Sequence, residues 1–236
     1  GNVAIGYQAL DGTAANEHIG TIAIGYQALT ACTSGSSNVA IGYQAGDALT
    51  TTSENVIIGH LAGGGAGQYN NTIVGYGAGT AYTGNSSVFV GSGVAGAGSA
   101  SGTNNVGVGR NALLAITTGS DNIAIGKAAF DANTVGVETI AIGTNALGQA
   151  NQDDNDGSVA IGHNALAGQV GAGGAQFANA NIGIGHTAGA AITTGAGNVA
   201  VGYRALNACT TAGSNTVIGY DAALLLAGSD NSGADN

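Results

Sequence analysis

The sequence predicts an all-β fold, a parallel β-solenoid (β-roll) of about 13 coils in a single domain that spans residues 1–236. A short apolar phrase that ends in glycine recurs thirteen times, for example NVAIGYQAL at 2–10, NVAIGYQAG at 38–46 and NVAVGYRAL at 198–206. The phrases follow one another at about 17 residues, and a β-branched residue directly precedes each glycine. One such unit cannot bury its apolar side alone, so successive units are expected to stack.

The repeat glycines are separated by 16 to 23 residues. That length leaves room for about two strands of 4–6 residues and two turns in each coil. The 45 glycines and an apolar spacing of two, instead of 3.6, argue against helices. The repeat glycines are Gly6, Gly25, Gly42, Gly59, Gly75, Gly91, Gly109, Gly126, Gly143, Gly162, Gly185, Gly202 and Gly219.

Alignment on the glycine predicts which side chains form the core. The residue before the glycine is Ile or Val in every unit, and the residue three before it is Val, Ile or Thr. These two columns share one face of a strand, and their β-branched side chains favour a core position. Ala follows the glycine by three residues in twelve units, and Asn precedes it by four in nine. The Asn column is expected to form a polar ladder at the turn that enters the strand.

The column between the two predicted core columns is expected to point out of the coil. It contains no polar residue, so we predict an apolar stripe through which the chain binds further copies of itself. The small side chains indicate close approach near a symmetry axis. The predicted interface residues are Ala4, Ala23, Ala40, Ile57, Ile73, Phe89, Ala124, Ala141, Ala160, Ala200 and Val217, with Gly107 and Gly183 in the same column.

Aromatic rings recur in the column that directly follows the glycine. One interpretation is a surface ladder that stiffens the stack, and the other is a groove for a glycan or a protein ligand. The residues of this predicted ligand ladder are Tyr7, Tyr26, Tyr43, His60, Tyr76, His163, His186, Tyr203 and Tyr220.

The composition excludes several classes of partner. The formal net charge is −10, from 13 acidic and only 3 basic residues. Nucleic acids and anionic membrane surfaces both require clustered cations, so neither is an expected partner. No apolar run is long enough to span a membrane, so we expect no membrane insertion of this segment. The chain begins in the middle of a repeat, so we interpret it as a piece of a longer protein.

No arrangement of residues predicts catalysis, a cofactor or a metal. The stretch Asp153–Asp156 resembles a calcium loop, but Gln152 and His163 stand where the loop's first and last ligands belong. A solvated turn is favoured there, and an irregular Ca²⁺ site is the alternative. The histidines of the aromatic column are expected to lie too far apart to share a metal. Cys32 and Cys209 share one position of the repeat and are predicted to be core residues that form no disulfide within the chain.

The phrase N-[VI]-A-[IV]-G-x-x-A resembles the head repeats of trimeric autotransporter adhesins, the YadA-like β-roll. The 17-residue form with TTG or TSG also resembles the repeat shafts of phage tail-fibre-type proteins. The resemblance covers nearly the whole chain. It implies a parallel β-roll in which three chains pack about a common axis, and a role in adhesion outside the cell or on a virion.

The favoured hypothesis is a non-enzymatic structural or adhesive shaft, a homotrimer at the cell surface, outside the cell or on a virion. Its partners would be further copies of the chain and a host surface protein or glycan. The alternative is the subunit of a self-assembling extracellular filament. An ice-binding solenoid is less favoured, because the Thr pairs that follow the glycine are interrupted. A solenoid polysaccharide lyase is less favoured too, because longer coils and clustered acids and bases are missing from the sequence.

Overall fold

A computed structural model of the chain describes residues 1–12, 18–149, 155–169, 179–211 and 213–224. The chain forms two compact units, Gly1–Thr118 and Gly119–Asn236. The prediction of a single domain stays a prediction. Every regular element in the described residues is a β-strand.

The described residues of the first unit form a stack of coils that contains seven strands of three residues each. Each strand pairs in parallel with the next strand along the chain, and equivalent repeat positions are partners, as in Ala23↔Ala40. A parallel pair formed one repeat apart requires the chain to turn once around the stack between strands. The strands are β1 (Val3–Ile5), β2 (Ile22–Ile24), β3 (Val39–Ile41), β4 (Val56–Ile58), β5 (Thr72–Val74), β6 (Val88–Val90) and β7 (Val106–Val108).

The second unit repeats this architecture with six strands. Its consecutive strands are also parallel and in register, as in Ala124↔Ala141 and Ala141↔Ala160. The predicted parallel β-solenoid is therefore confirmed in each unit. The strands are β8 (Ile123–Ile125), β9 (Ile140–Ile142), β10 (Val159–Ile161), β11 (Ile182–Ile184), β12 (Val199–Val201) and β13 (Thr216–Ile218).

The prediction of two strands per coil is wrong, because each described coil has one short strand and is otherwise built of turns. Non-glycine residues with φ between 48° and 64° recur at three positions of the repeat, exemplified by Ser37, Gln44 and Leu29. Single residues in this left-handed region change the direction of the chain. The coil therefore has corners where longer strands were expected.

Hydrogen bonds between coils continue through these corners. The Gln27 N–H donates to the Tyr7 carbonyl at 2.8 Å, and the Thr33 N–H donates to the Thr50 carbonyl at 2.8 Å. Backbone groups in turns thus find partners in the next coil, as buried peptide groups require. This bonding keeps equivalent side chains stacked all round each coil.

The structure reverses the predicted faces of the strands. From β2 to β12 the middle residue of each strand is buried, whereas its two neighbours are half-buried or exposed. The prediction that the middle column points outward is therefore wrong. The column that the sequence predicts as the interface faces the interior of the coil instead. Its members are Ala4, Ala23, Ala40, Ile57, Ile73, Phe89, Ala124, Ala141, Ala160, Ala200 and Val217. Its terminal members, Ala4 and Val217, are less buried because β1 and β13 each pair with a single strand.

The reason for this reversal is the narrow interior of a 17-residue coil. Ala40 is fully buried, and so are Ala45, Leu29 and Leu49, which come from the corners. These corner residues already supply bulky side chains to the core. The strand contributes mostly alanine to the core, from its middle position. The Val and Ile side chains at its first and third positions point away from the core.

The Asn column is a buried polar ladder, as predicted. The Asn55 N–H and side-chain amide both donate to Asn38 Oδ1 at 3.1 Å, and Asn55 Oδ1 accepts from the Asn71 N–H at 3.1 Å. The Asn55 amide also donates to the Gln68 carbonyl at 2.9 Å. Each Asn therefore satisfies the backbone of the next coil, which would otherwise be buried without a partner.

Candidate functional site: an apolar strand face and two aromatic ladders

The first candidate surface is formed by the first and third residues of every strand, and we call it the strand face. It contains 26 side chains, of which 24 are Val or Ile and two, Thr72 and Thr216, are threonine. Within the stack Val88 is 37% exposed and Ile125 is 39% exposed. Since neighbouring strands lie about 4.8 Å apart, these side chains form two close rows in each unit.

The strand face is unusual because β-branched residues occupy all of its positions in each unit, and all but Thr72 and Thr216 are apolar. In the first unit it provides 14 side chains from seven strands, and in the second 12 from six. None of them is charged, although the whole chain carries a net charge of −10. A continuous apolar surface of this kind is typical of a site that another molecule covers.

The second candidate surface consists of two aromatic ladders. In the first unit the rings of Tyr7, Tyr26, Tyr43, His60 and Tyr76 stack in sequence, with centroids 5.0–5.3 Å apart and interplanar angles of 7–18°. The structure therefore brings together all five ladder residues that the sequence predicts for this unit.

In the second unit the rings of His163, His186, Tyr203 and Tyr220 form the other ladder. Their centroids are 4.9–5.3 Å apart, with interplanar angles of 12–20°. His163 and His186 are thus neighbours in the stack, and the expectation that the histidines lie far apart is wrong for this pair. Groups of three or more metal-ligating residues are not found among the described residues.

The stacking decides what each ladder presents to solvent. Every inner ring covers the faces of its two neighbours, so solvent meets ring edges and hydroxyl groups. A sugar that stacks on an aromatic ring needs an open face. The ladders therefore favour edge contacts and hydrogen bonds over stacking with a glycan.

Polar side chains beside the first ladder form a second row. The Gln27 amide donates to Gln8 Oε1 at 2.9 Å, and the Gln44 amide donates to Gln27 Oε1 at 3.0 Å. In the second unit Arg204 Nε lies 3.5 Å from Asp221 Oδ1, in a partly exposed ion pair. Exposed pairs of this kind contribute about 0–1 kcal/mol, so they affect the surface chemistry more than the stability.

Both cysteines are buried, and neither is part of a disulfide. Burial raises the pKa of the Cys32 thiol, and its hydrogen bond to the Gly35 carbonyl acts in the opposite direction. Cys32 Sγ lies 3.7 Å from Nδ1 of the buried His18. The thiol is therefore a packing group, as predicted, and the raised pKa disfavours the reactive thiolate.

Most of the possible calcium loop lies outside the described residues, including Asp153 and Asp154. Asp156 is described, and its Oδ1 accepts a hydrogen bond from the Val137 N–H at 2.8 Å. This contact joins two neighbouring coils at a turn. The Ca²⁺ alternative is not tested by the described part of the loop.

Comparison with protein-family models, curated proteins and solved structures finds no match to this chain. Among the described residues, the structure has no helix that is long and apolar enough to cross a membrane.

Proposed function

We propose that this chain is a non-enzymatic structural or adhesive shaft that self-associates through the strand face. The observation that carries the proposal is the predominantly apolar character of that face in each unit, with Val or Ile at 24 of its 26 positions. The proposed interface thus consists of the first and third residues of each strand, which lie on either side of the middle column that the sequence predicted. In the first unit its central members include Ile24, Ile41 and Ile58.

The charge distribution favours another copy of the chain as the occupant of this face. Any two copies carry a net charge of −10 each and repel at long range. The strand face has no charged residue, so contact there brings no carboxylates together and buries none. Two rows of β-branched side chains on a regular sheet are also self-complementary in shape, because the same spacing recurs on both partners.

A trimer is the assembly that we propose. The resemblance to the head repeats of trimeric adhesins implies three chains about a common axis, and three strand faces can enclose such an axis. The same resemblance supports a location outside the cell, at the cell surface or on a virion. The aromatic ladders are the surfaces that we propose for contact with a host protein or glycan.

The test is the solution mass of the chain, measured by light scattering over a range of concentrations. The variant Ile41→Asp with Val201→Asp places one carboxylate on the strand face of each unit. The matched control, Thr51→Asp with Thr211→Asp, adds the same charges at exposed turns. We expect the unchanged chain and the control to be trimers and the strand-face variant to be a monomer, because burying unpaired charge is costly.

Two other outcomes would contradict the proposal in different ways. A monomeric unchanged chain would show that the strand face is not a self-association surface. A mass that grows with concentration without a limit would favour the filament, in which the contacts do not close. Circular dichroism of all three proteins shows whether the coils stay folded, so that loss of assembly is distinguished from loss of fold.

A further inference from the structure

We infer that the tyrosine pairs of the ladders are sites of oxidative coupling, in which dityrosine bonds join adjacent coils. The pairs are Tyr7 with Tyr26, Tyr26 with Tyr43, and Tyr203 with Tyr220. The reactant is a one-electron oxidant such as a haem peroxidase supplied with hydrogen peroxide. This inference concerns modification within one chain, so it does not depend on the proposed self-association.

The geometry places the reacting rings side by side. The Tyr26 and Tyr43 rings are 5.2 Å apart and 7° from parallel, and the Tyr203 and Tyr220 rings are 5.0 Å apart and 12° from parallel. The carbons that must join, those beside the hydroxyl groups, thus belong to neighbouring stacked rings. Side-chain rotation can close the remaining distance, because exposed side chains change rotamer rapidly.

The backbone holds each pair in place while the rings remain accessible. The Gln27 N–H bonds to the Tyr7 carbonyl, and the Gln44 N–H bonds to the Tyr26 carbonyl, both at 2.8 Å. Tyr7 is 63% exposed and Tyr26 is 43% exposed, so an oxidant can reach both rings. Two rings that are held together react far more often than rings that must meet by diffusion.

The chemical step balances with hydrogen peroxide as the oxidant. Each tyrosine loses one electron and its phenolic proton to the peroxidase, which gives two tyrosyl radicals. A carbon–carbon bond forms between the ring carbons beside the hydroxyl groups, and the two carbon-bound hydrogens shift to oxygen as the rings regain aromaticity. One hydrogen peroxide becomes two waters, and the chain loses two hydrogen atoms for each bond.

The same chain contains tyrosines that serve as internal controls. Tyr69 is exposed but has no stacked ring among the described residues. Tyr82 is buried, its ring is edge-on to Phe89, and its hydroxyl bonds to Ser87 Oγ at 2.6 Å. Tyr76 stacks on His60 and has no tyrosine beside it in the ladder. Coupling is therefore expected at three pairs, although the chain has eight tyrosines.

The experiment treats the dilute full chain with a haem peroxidase and hydrogen peroxide. A protease of broad specificity is then needed, because Lys and Arg occur only three times. Mass spectrometry is expected to find the peptides of the three pairs joined, each pair with two hydrogens lost. The characteristic fluorescence of dityrosine should appear at the same time, and the midpoint of thermal unfolding should rise.

Two conservative variants make the test specific. Tyr26→Phe keeps the stacked ring but removes its hydroxyl, so it is expected to abolish both joined pairs of the first ladder and to leave Tyr203–Tyr220 unchanged. His60→Tyr is expected to add coupling of position 60 to Tyr43 and Tyr76. The inference is overturned if Tyr69 couples as often as the ladder pairs, if His60→Tyr adds no joined peptide, or if joined peptides disappear on dilution and so arise between chains.

Discussion

At the scale of single residues, the repeat glycine is the position that tolerates least change. Across the thirteen units its φ lies between 127° and 143°, a region that side chains rarely adopt. A Cβ at Gly42 would also overlap the carbonyl of Gly59 in the next coil. The glycine column is therefore required both by the local backbone and by the approach of the neighbouring coil.

Gly42→Ala should destabilise the chain severely. The backbone conformation alone costs about 1–3 kcal/mol for a residue with a side chain, and the overlap with Gly59 adds to this cost. Gly98→Ala is the matched control, because the nearest atom to its new Cβ is Thr117 Cγ2 at 4.0 Å. Chemical denaturation should show a large loss for Gly42→Ala and little change for Gly98→Ala. Equal losses in the two variants would contradict this account of the column.

Asn55→Ala should remove a link of the buried Asn ladder. It leaves the Asn71 N–H and the Gln68 carbonyl without the partners that Asn55 supplies. Each buried unpaired group costs about 1–3 kcal/mol, so for the two groups we expect a loss of about 2–6 kcal/mol in the free energy of unfolding.

The chain itself offers a control for this prediction. Serine occupies the same column at Ser87, whose Oγ accepts a hydrogen bond from the Asn105 N–H at 3.0 Å. Asn55→Ser should therefore keep the contact to the next coil and lose less stability than Asn55→Ala. If the two variants unfold at the same denaturant concentration, the ladder contributes through packing and not through hydrogen bonds.

At the scale of the elements, side chains of two repeat columns fill the core together. Where one column has a large side chain, the other has a small one. Where the strand supplies Ile57 or Ile73, the corner four residues after the repeat glycine carries Gly63 or Gly79. A Cβ at Gly63 would lie 2.7 Å from Ile57 Cδ1, so the two positions share one space. Strands with a central alanine mostly face Leu or Phe at that corner. This compensation keeps the interior closely packed as the sequence varies.

The coil that contains Phe89 shows the same exchange and allows a direct test. Gly107, in the coil that follows Phe89, lies where every strand except β11 has a larger residue, and a Cβ there would be 2.6 Å from Val94 Cγ1 and 3.2 Å from Phe89 Cδ1. Gly107→Ala should overpack the core and cost about 1–3 kcal/mol. Val94 itself stands where the other twelve units have alanine.

Val94→Ala should relieve that overpacking. We expect the double variant with Gly107→Ala to be more stable than the sum of the two single variants predicts, because the methyl group added at position 107 takes the space released at position 94. A double-mutant cycle from denaturant unfolding measures this coupling. Additive effects would mean that the two positions do not share a space.

At the scale of the whole molecule, each unit is an array in which a coil contacts its neighbours along the chain. Among the described residues of both units, strand pairs join only consecutive strands. The stability of such an array is approximately the sum of the coils and of the contacts between them. Removing a complete coil should therefore preserve the fold, whereas removing part of a coil should not.

Deletion of residues 38–54 tests this expectation. It removes 17 residues and joins Ser37 to Asn55, which restores the order Ser-Asn-Val found at Ser37–Val39. We expect a folded chain with cooperative thermal unfolding by circular dichroism. The control deletion of residues 38–46 removes only part of a coil, so the later residues of that coil no longer lie beside equivalent residues of the neighbouring coils. This deletion should abolish cooperative unfolding. Similar unfolding of both variants would show that the register of the repeats does not govern the fold.

The sequence contained more information about the strand faces than composition alone revealed. The sequence-based prediction places bulky β-branched residues in the core because such residues favour burial. The alternation of side chains along a strand does not show which face points inward. The exchange of volume between Ile57 and Gly63 was visible in the sequence as a correlation between columns. It indicates that the middle column and the corner share one interior, and would have identified the strand face as the exposed surface.

The repeat, the parallel solenoid, the glycine and Asn columns and the aromatic ladders can be predicted from the sequence alone, because each depends on equivalent residues that stack at a fixed spacing. The inward-pointing face of the strand, the shortness of each strand and the stacking of His163 on His186 are known only from the folded chain. These features depend on the direction in which the chain turns at its left-handed corners, and on the space that the corner residues leave for the strand.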